Sequence, residues 1–160
     1  MIDAMDKISG LSPEDPVFNA RRFRPEFVEG AELCRLSVLH PDADKGFDRV
    51  FRIALALRMA RLNADQVLID DYGLQLADLN PSAELAALAN GATDLAEPLA
   101  TIASHVDMVT LSPIKADAGH IAKLVDAGLD NPQIVALSEL IAFVNFQTRV
   151  AAGLRLMRLA

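Results

Sequence analysis

The stretch QIVALSELIAFVNFQTRVAAGLRLM, residues 133–157, constrains the fold more than any other part of the chain. Its spacing predicts one long helix, and from Ile134 to Val150 it is apolar on nearly every face. A helix without a polar face has to be covered all round. One domain of 160 residues leaves little material to wrap it, so part of its cover is expected from a second subunit. The mean hydropathy of +0.25 points the same way, towards apolar surface committed to a homo-oligomeric interface.

The rest of the sequence reads as helix too. Alanine and leucine dominate, β-branched runs are few, and apolar positions recur at threes and fours, which predicts an all-α fold. The length is that of a single domain, which buries about 70% of its unfolded surface without staples. No repeat of fixed period and no low-complexity linker is present. A first helix is expected over residues 1–9, ended by Gly10. A proline-bounded arm, LSPEDPVFNARRFRP, comes next with one helical turn. Pro25 suits the first position of a second helix, over residues 25–39. A third is expected over 47–62 and a fourth over 64–79, with Asn63 and Gln66 as a capping pair. A short helix ends at Asn90-Gly91, and Thr93 is expected to cap the next, running to about residue 110. Another covers 116–127 and closes on Gly128 as C′. Asp130 with Gln133 caps the last.

Composition excludes several functions. Fifteen basic against twenty-two acidic residues give a net charge of −7. Such a chain repels phosphate backbones, so nucleic-acid binding is not expected. Arg21, Arg22 and Arg24 form the one local basic cluster, best read as a solvated patch or salt-bridge partner. No uninterrupted apolar run reaches the roughly 18 residues of a spanning helix, since Arg58, Arg61, Glu139 and Arg149 break the longest. No membrane association is expected. The N-terminus is acidic and has no secretory pattern, which makes the cytoplasm the default location. Cys34 is the single cysteine. It cannot form an internal disulfide or a Cys-x-x-Cys couple, and helical spacing places it near an apolar stripe as a buried small side chain. His40, His105 and His120 lack metal-ligand spacing, and neither metal nor cofactor is expected. His105 and Asp107 are placed to form a hydrogen-bonded pair.

Two segments carry a resemblance. The first is RIALALRMARLNADQVLIDDY, residues 52–72; the second is LVDAGLDNPQIVALSELIAFVNFQTRVAAGL, residues 124–154. In order, they resemble the core of the alkylhydroperoxidase D-like, or carboxymuconolactone decarboxylase-like, family. Arg52, Ala56 and Asn63 match the first motif. Ala127, Gly128, Leu129, Ile134, Phe143, Asn145, Phe146, Arg149 and Ala151 match the second. The resemblance implies one carboxymuconolactone decarboxylase-like domain over 1–160, with residues 1–46 as an N-terminal helical arm and 47–160 as the family core. It also implies a helical oligomer, often built from dimers. The likeness is to the subgroup that lacks the cysteine pair, whose members accompany or are fused to a peroxidase-type partner.

The family's chemistry does not carry over. Its glutamate falls on Ile53, its two cysteines on Asp65 and Leu68, and its histidine on Tyr72. Thiol-based peroxide reduction needs a thiolate and a resolving thiol, and a proton relay to make the thiolate. Leucine, aspartate and isoleucine supply none of these, so no thiol peroxidase turnover is expected. Asp65 reads as a first-turn carboxylate, Tyr72 as an inward ring with its hydroxyl on a partner, and Asp70 with Asp71 as a solvated pair. Tyr72, Arg58 and Asp65 are the candidates for a retained pocket. Asn145 and Arg149, four apart on the last helix, are expected to bond to each other, to Glu139, or across a subunit boundary, since buried polar groups left unpaired cost about 1–3 kcal/mol each. Three functions are open on these grounds: an oligomeric, catalytically degenerate accessory subunit of a peroxidase-type partner; a decarboxylase or isomerase using Tyr72 and charged neighbours; and a small-molecule binder.

Overall fold

Aspartates open most of the helices. The computed structural model describes residues 2–159, and among these the regular structure is helical throughout, with no strand. Asp3 caps α1 (Ala4–Ser9) in a reciprocal box with Asp6, and Gly10 closes it at φ 67°. Residue 1, part of the expected first helix, lies outside the described residues. α2 (Pro16–Arg21) and α3 (Pro25–Leu39) each begin on a proline. Asp48 caps α4 (Arg49–Leu62), Asp65 caps α5 (Gln66–Asp78), and Ser82 caps α6 (Ala83–Ala89). α7 is Leu99–Leu111; a short 3₁₀ turn, Pro113–Lys115, leads to α8 (Ala118–Asp126), boxed by Asp117 and His120. Asp130 and Gln133 then exchange side-chain and backbone bonds of 2.8 and 2.9 Å at the start of α9 (Asn131–Leu159). Side-chain oxygens on first-turn amides are what an isolated helix end lacks.

Thr93 does not cap α7. That helix starts only after Pro98, because the residue before a proline is pushed out of helical conformation.

The helix at the centre is α4. It packs against α3, α5, α6, α7 and α9, and all ten residues from Phe51 to Ala60 are buried. Ala54, Ala56 and Ala60 are wholly covered; their small side chains let neighbouring helices come close. The two charges inside this run are fully engaged. Arg52 donates to the carbonyls of Phe47, Val38 and Asp44. Arg58 forks onto Asp107 at 2.7 Å and donates to the carbonyls of Leu88 and Ala92. Asp107 is therefore not the partner of His105, whose Nδ1 is buried without a hydrogen bond.

α9 is not covered on all sides within one chain. α1, α2, α3, α4, α7 and α8 pack along it, yet Val135, Glu139, Ala142, Phe146, Arg149 and Leu156 stay exposed in a single stripe. By length and composition alone this helix is long and apolar enough to cross a membrane, but 61% of its most apolar window is buried inside the fold, as in a core helix. Cys34 is also corrected: it is exposed. α3 is one layer further from the centre than its apolar residues imply, and Leu33 and Leu36 stay exposed beside the thiol.

Of the two readings of the basic cluster, Arg21 and Arg22 take that of salt-bridge partners rather than that of a solvated patch. Both close on the fully buried Asp6, and Arg21 also reaches Asp3, which ties α1 to α2. Arg24 makes an exposed pair with Glu26.

Candidate functional site

The corner Asn63-Ala64-Asp65, between α4 and α5, is where the resemblance places chemistry. Locally it is a helix C-terminus running straight into a helix N-terminus. The amide of Asp65 donates to the carbonyl of Ala60 and that of Ala64 to Arg61, the bond pattern of a Schellman turn. Such a turn needs a left-handed residue, here Ala64 at φ 53°. Asn63 therefore ends α4 and does not cap α5 with Gln66. Its side-chain amide donates to the Met59 carbonyl and to Asn145 Oδ1, at 3.0 and 3.2 Å. Gln66 donates to Asp70.

Asp65 Oδ1 accepts the Leu68 amide at 3.2 Å, and the carboxylate is also gripped by Arg155 of α9, with Nη1 at 3.0 Å and Nη2 on the other oxygen. Burial opposes ionisation of Asp65, but the guanidinium and the backbone amides outweigh it and hold the carboxyl below its usual range. Leu68 and Ile53 are completely buried. Tyr72 is 1% exposed and its hydroxyl donates to Gln147 Oε1. Burial pushes that hydroxyl well above its ordinary value, and the charge of Asp71 adds to the effect. It is a poor acid at neutral pH.

Asp65, Leu68 and Tyr72 are all buried, on the inner side of α5. Arg58 is not with them; it is tied to α6 and α7 through Leu88 and Asp107. Asn145 bonds to Asn63, Thr110 and the Ile141 carbonyl. Neither Arg149 nor Glu139 bonds to it within the chain. Arg155 and Gln147, the residues that complete this corner, escape a sequence reading. The one available signal is that Gln147 and Arg155 are eight apart on the most apolar helix, where polar side chains need partners.

Among the described residues this corner holds no thiol, and the Asp65 carboxylate is paired with Arg155. Among the described residues no group of three or more His, Cys, Asp or Glu side chains is placed to hold a metal ion. Larger clefts lie on the surface. One of about 500 Å³ runs between α3 and α9, lined by Cys34, Val38, Glu139, Ala142, Phe143 and Phe146. Another of about 600 Å³ flanks α9 on its other side and takes in His105, Asn145, Phe146 and Arg149.

No protein-family model matches the chain, and no curated protein matches it in sequence. In three dimensions it resembles an uncharacterized peroxidase-related protein from Silicibacter sp. TM1040, with a TM-score of 0.71 at 14% identity, over 95% of this chain and 79% of that one. At that identity the likeness shows the fold, and it is the all-α bundle that the two sequence motifs lead one to expect.

Proposed function

We propose that this chain is a non-redox member of the alkylhydroperoxidase D-like group, a homo-oligomeric accessory subunit that works with a peroxidase-type partner. The observation that carries the reading is the ion pair of Asp65 with Arg155. It stands where the family keeps its first sulfur, beside a sealed Leu68 where it keeps the second. A reducing centre has been replaced by a structural cross-link. The likeness in fold to a peroxidase-related protein supports the association with peroxide chemistry. A decarboxylase or isomerase at Tyr72 is served less well, because its hydroxyl is committed to Gln147 and resists ionisation.

Hydroperoxide consumption with a dithiol reductant tests the redox half of this reading. The purified chain is expected to run at the background rate, and Cys34→Ser to leave that rate unchanged. A rate well above background that Cys34→Ser abolishes would sink it. For the accessory half, the rate of a hydroperoxide-reducing protein from the same cells is measured with and without this chain. Co-purification in fixed stoichiometry and a changed rate are expected.

A further inference from the structure

The exposed stripe of α9 is self-complementary. Glu139 and Arg149 both lie on it exposed, and among the described residues neither makes an ion pair or hydrogen bond; Glu139 reaches Arg52 only through its longer-range field. Between them sit Ala142 and Phe146, which line both flanking clefts and so form the ridge that separates them. Further out lie Val135, 56% exposed, and Gly153, where a Cβ would meet nothing within 4 Å. These six residues form three pairs, 139 with 149, 142 with 146, and 135 with 153, and each pair is centred on position 144.

We infer that a second copy of this chain docks on this stripe, α9 antiparallel to α9, about a two-fold axis at the level of residue 144. The inference deepens the oligomeric part of the proposed function and rests on it. A two-fold interface is isologous, so each residue meets the residue equally far from the axis. Glu139 then faces the partner's Arg149 twice over, the ring of the partner's Phe146 drops onto the low point at Ala142, and the partner's Val135 covers Gly153. A parallel arrangement would set each Glu139 against the other Glu139 and each Arg149 against the other Arg149, like charges that repel. The charge pattern therefore selects a second copy as occupant and fixes its direction.

The test is the molecular mass of the full chain in solution. Wild type is expected as an oligomer. Glu139→Arg alone and Arg149→Glu alone are each expected to lower the mass about 2-fold at micromolar concentration, and the double exchange to restore it. Both positions are exposed, so helix content by circular dichroism should not move. As a second measurement, Ala142→Cys with Phe146→Cys in a Cys34→Ser background is expected to give an intermolecular disulfide on mild oxidation. A monomeric wild type would overturn both this interface and the oligomeric reading. An oligomer whose mass ignores the single charge reversals, or which the double exchange fails to restore, or whose cysteine pair stays reduced, overturns the interface and leaves the oligomeric reading standing.

Discussion

Ala64 sits in a conformation that costs an L-residue roughly 1–2 kcal/mol, and the corner it makes is held from both sides. The Schellman bonds fix the backbone at the end of α4, and the grip of Arg155 on Asp65 fixes the first turn of α5. Glycine adopts the same φ freely. Ala64→Gly is therefore expected to stabilise the protein by about 1 kcal/mol, read as a higher urea midpoint with unchanged slope. Arg155→Met should do the reverse. It strands a buried carboxylate that keeps only backbone amides, those of Leu68 and Val67, as partners. Losing one member of a buried pair costs about 3–5 kcal/mol; because the arginine is partly exposed, about 2 kcal/mol is expected here. Asp65 was legible as a first-turn carboxylate because capping is a local rule. Its arginine was not, since ninety residues separate them and no spacing rule reaches that far.

At the level of the helix, α9 shows how a mostly apolar element carries polar work. Gln147, Asn145 and Thr148 are all buried on it. Thr148 bonds back to Val144, while Gln147 receives the Tyr72 hydroxyl. Gln147→Leu leaves that hydroxyl buried and unpaired, and a loss of about 1–3 kcal/mol is expected. Adding Tyr72→Phe removes the orphan, so the double variant should be more stable than Gln147→Leu alone. A double-mutant cycle in urea measures the difference. The same helix marks the limit of periodicity as a guide. Apolar residues all round predicted cover on every side, part of it from a second subunit; which side one chain leaves bare is decided by where its other helices reach. α4, with a pair of arginines inside its buried stretch, took the central place. It could do so because backbone carbonyls from α3, from the loop just before α4 and from α6, together with Asp107, satisfy those charges. Gly10, Pro25, Gly128 and the Asp130-Gln133 box were readable, each being decided within a few residues of itself.

For the molecule as a whole, ionisation sets an acid limit. Asp6, buried between Arg21 and Arg22, and Asp65 are both held below the ordinary carboxylate range despite burial. A carboxyl whose folded value is depressed contributes fully above the unfolded value of about 4 and loses that contribution as pH falls towards the folded one. His105 is lowered by burial and then by the charge of His120. It favours the neutral form, so its share is present above about pH 6.5 and lost as pH falls below. The urea midpoint is expected to be level between about pH 7 and 8, to slip below about 6.5 and to fall steeply below about 4. Asp65→Asn should start lower and flatten the steep limb. An acid limb of the same steepness in Asp65→Asn would show that this carboxylate carries none of it. The all-α class was legible from composition and spacing throughout, whereas the surface α9 leaves open was not, because it depends on where every other helix ends.

Cys34 lines the cleft that Ala142 and Phe146 border, and the chain has no other thiol to compete with it. Nature has thus left a single attachment point for a dye within sight of the ridge. A maleimide should modify native protein at one site, faster in dilute solution than in concentrated, so that the labelling rate becomes a gauge of how often two chains part.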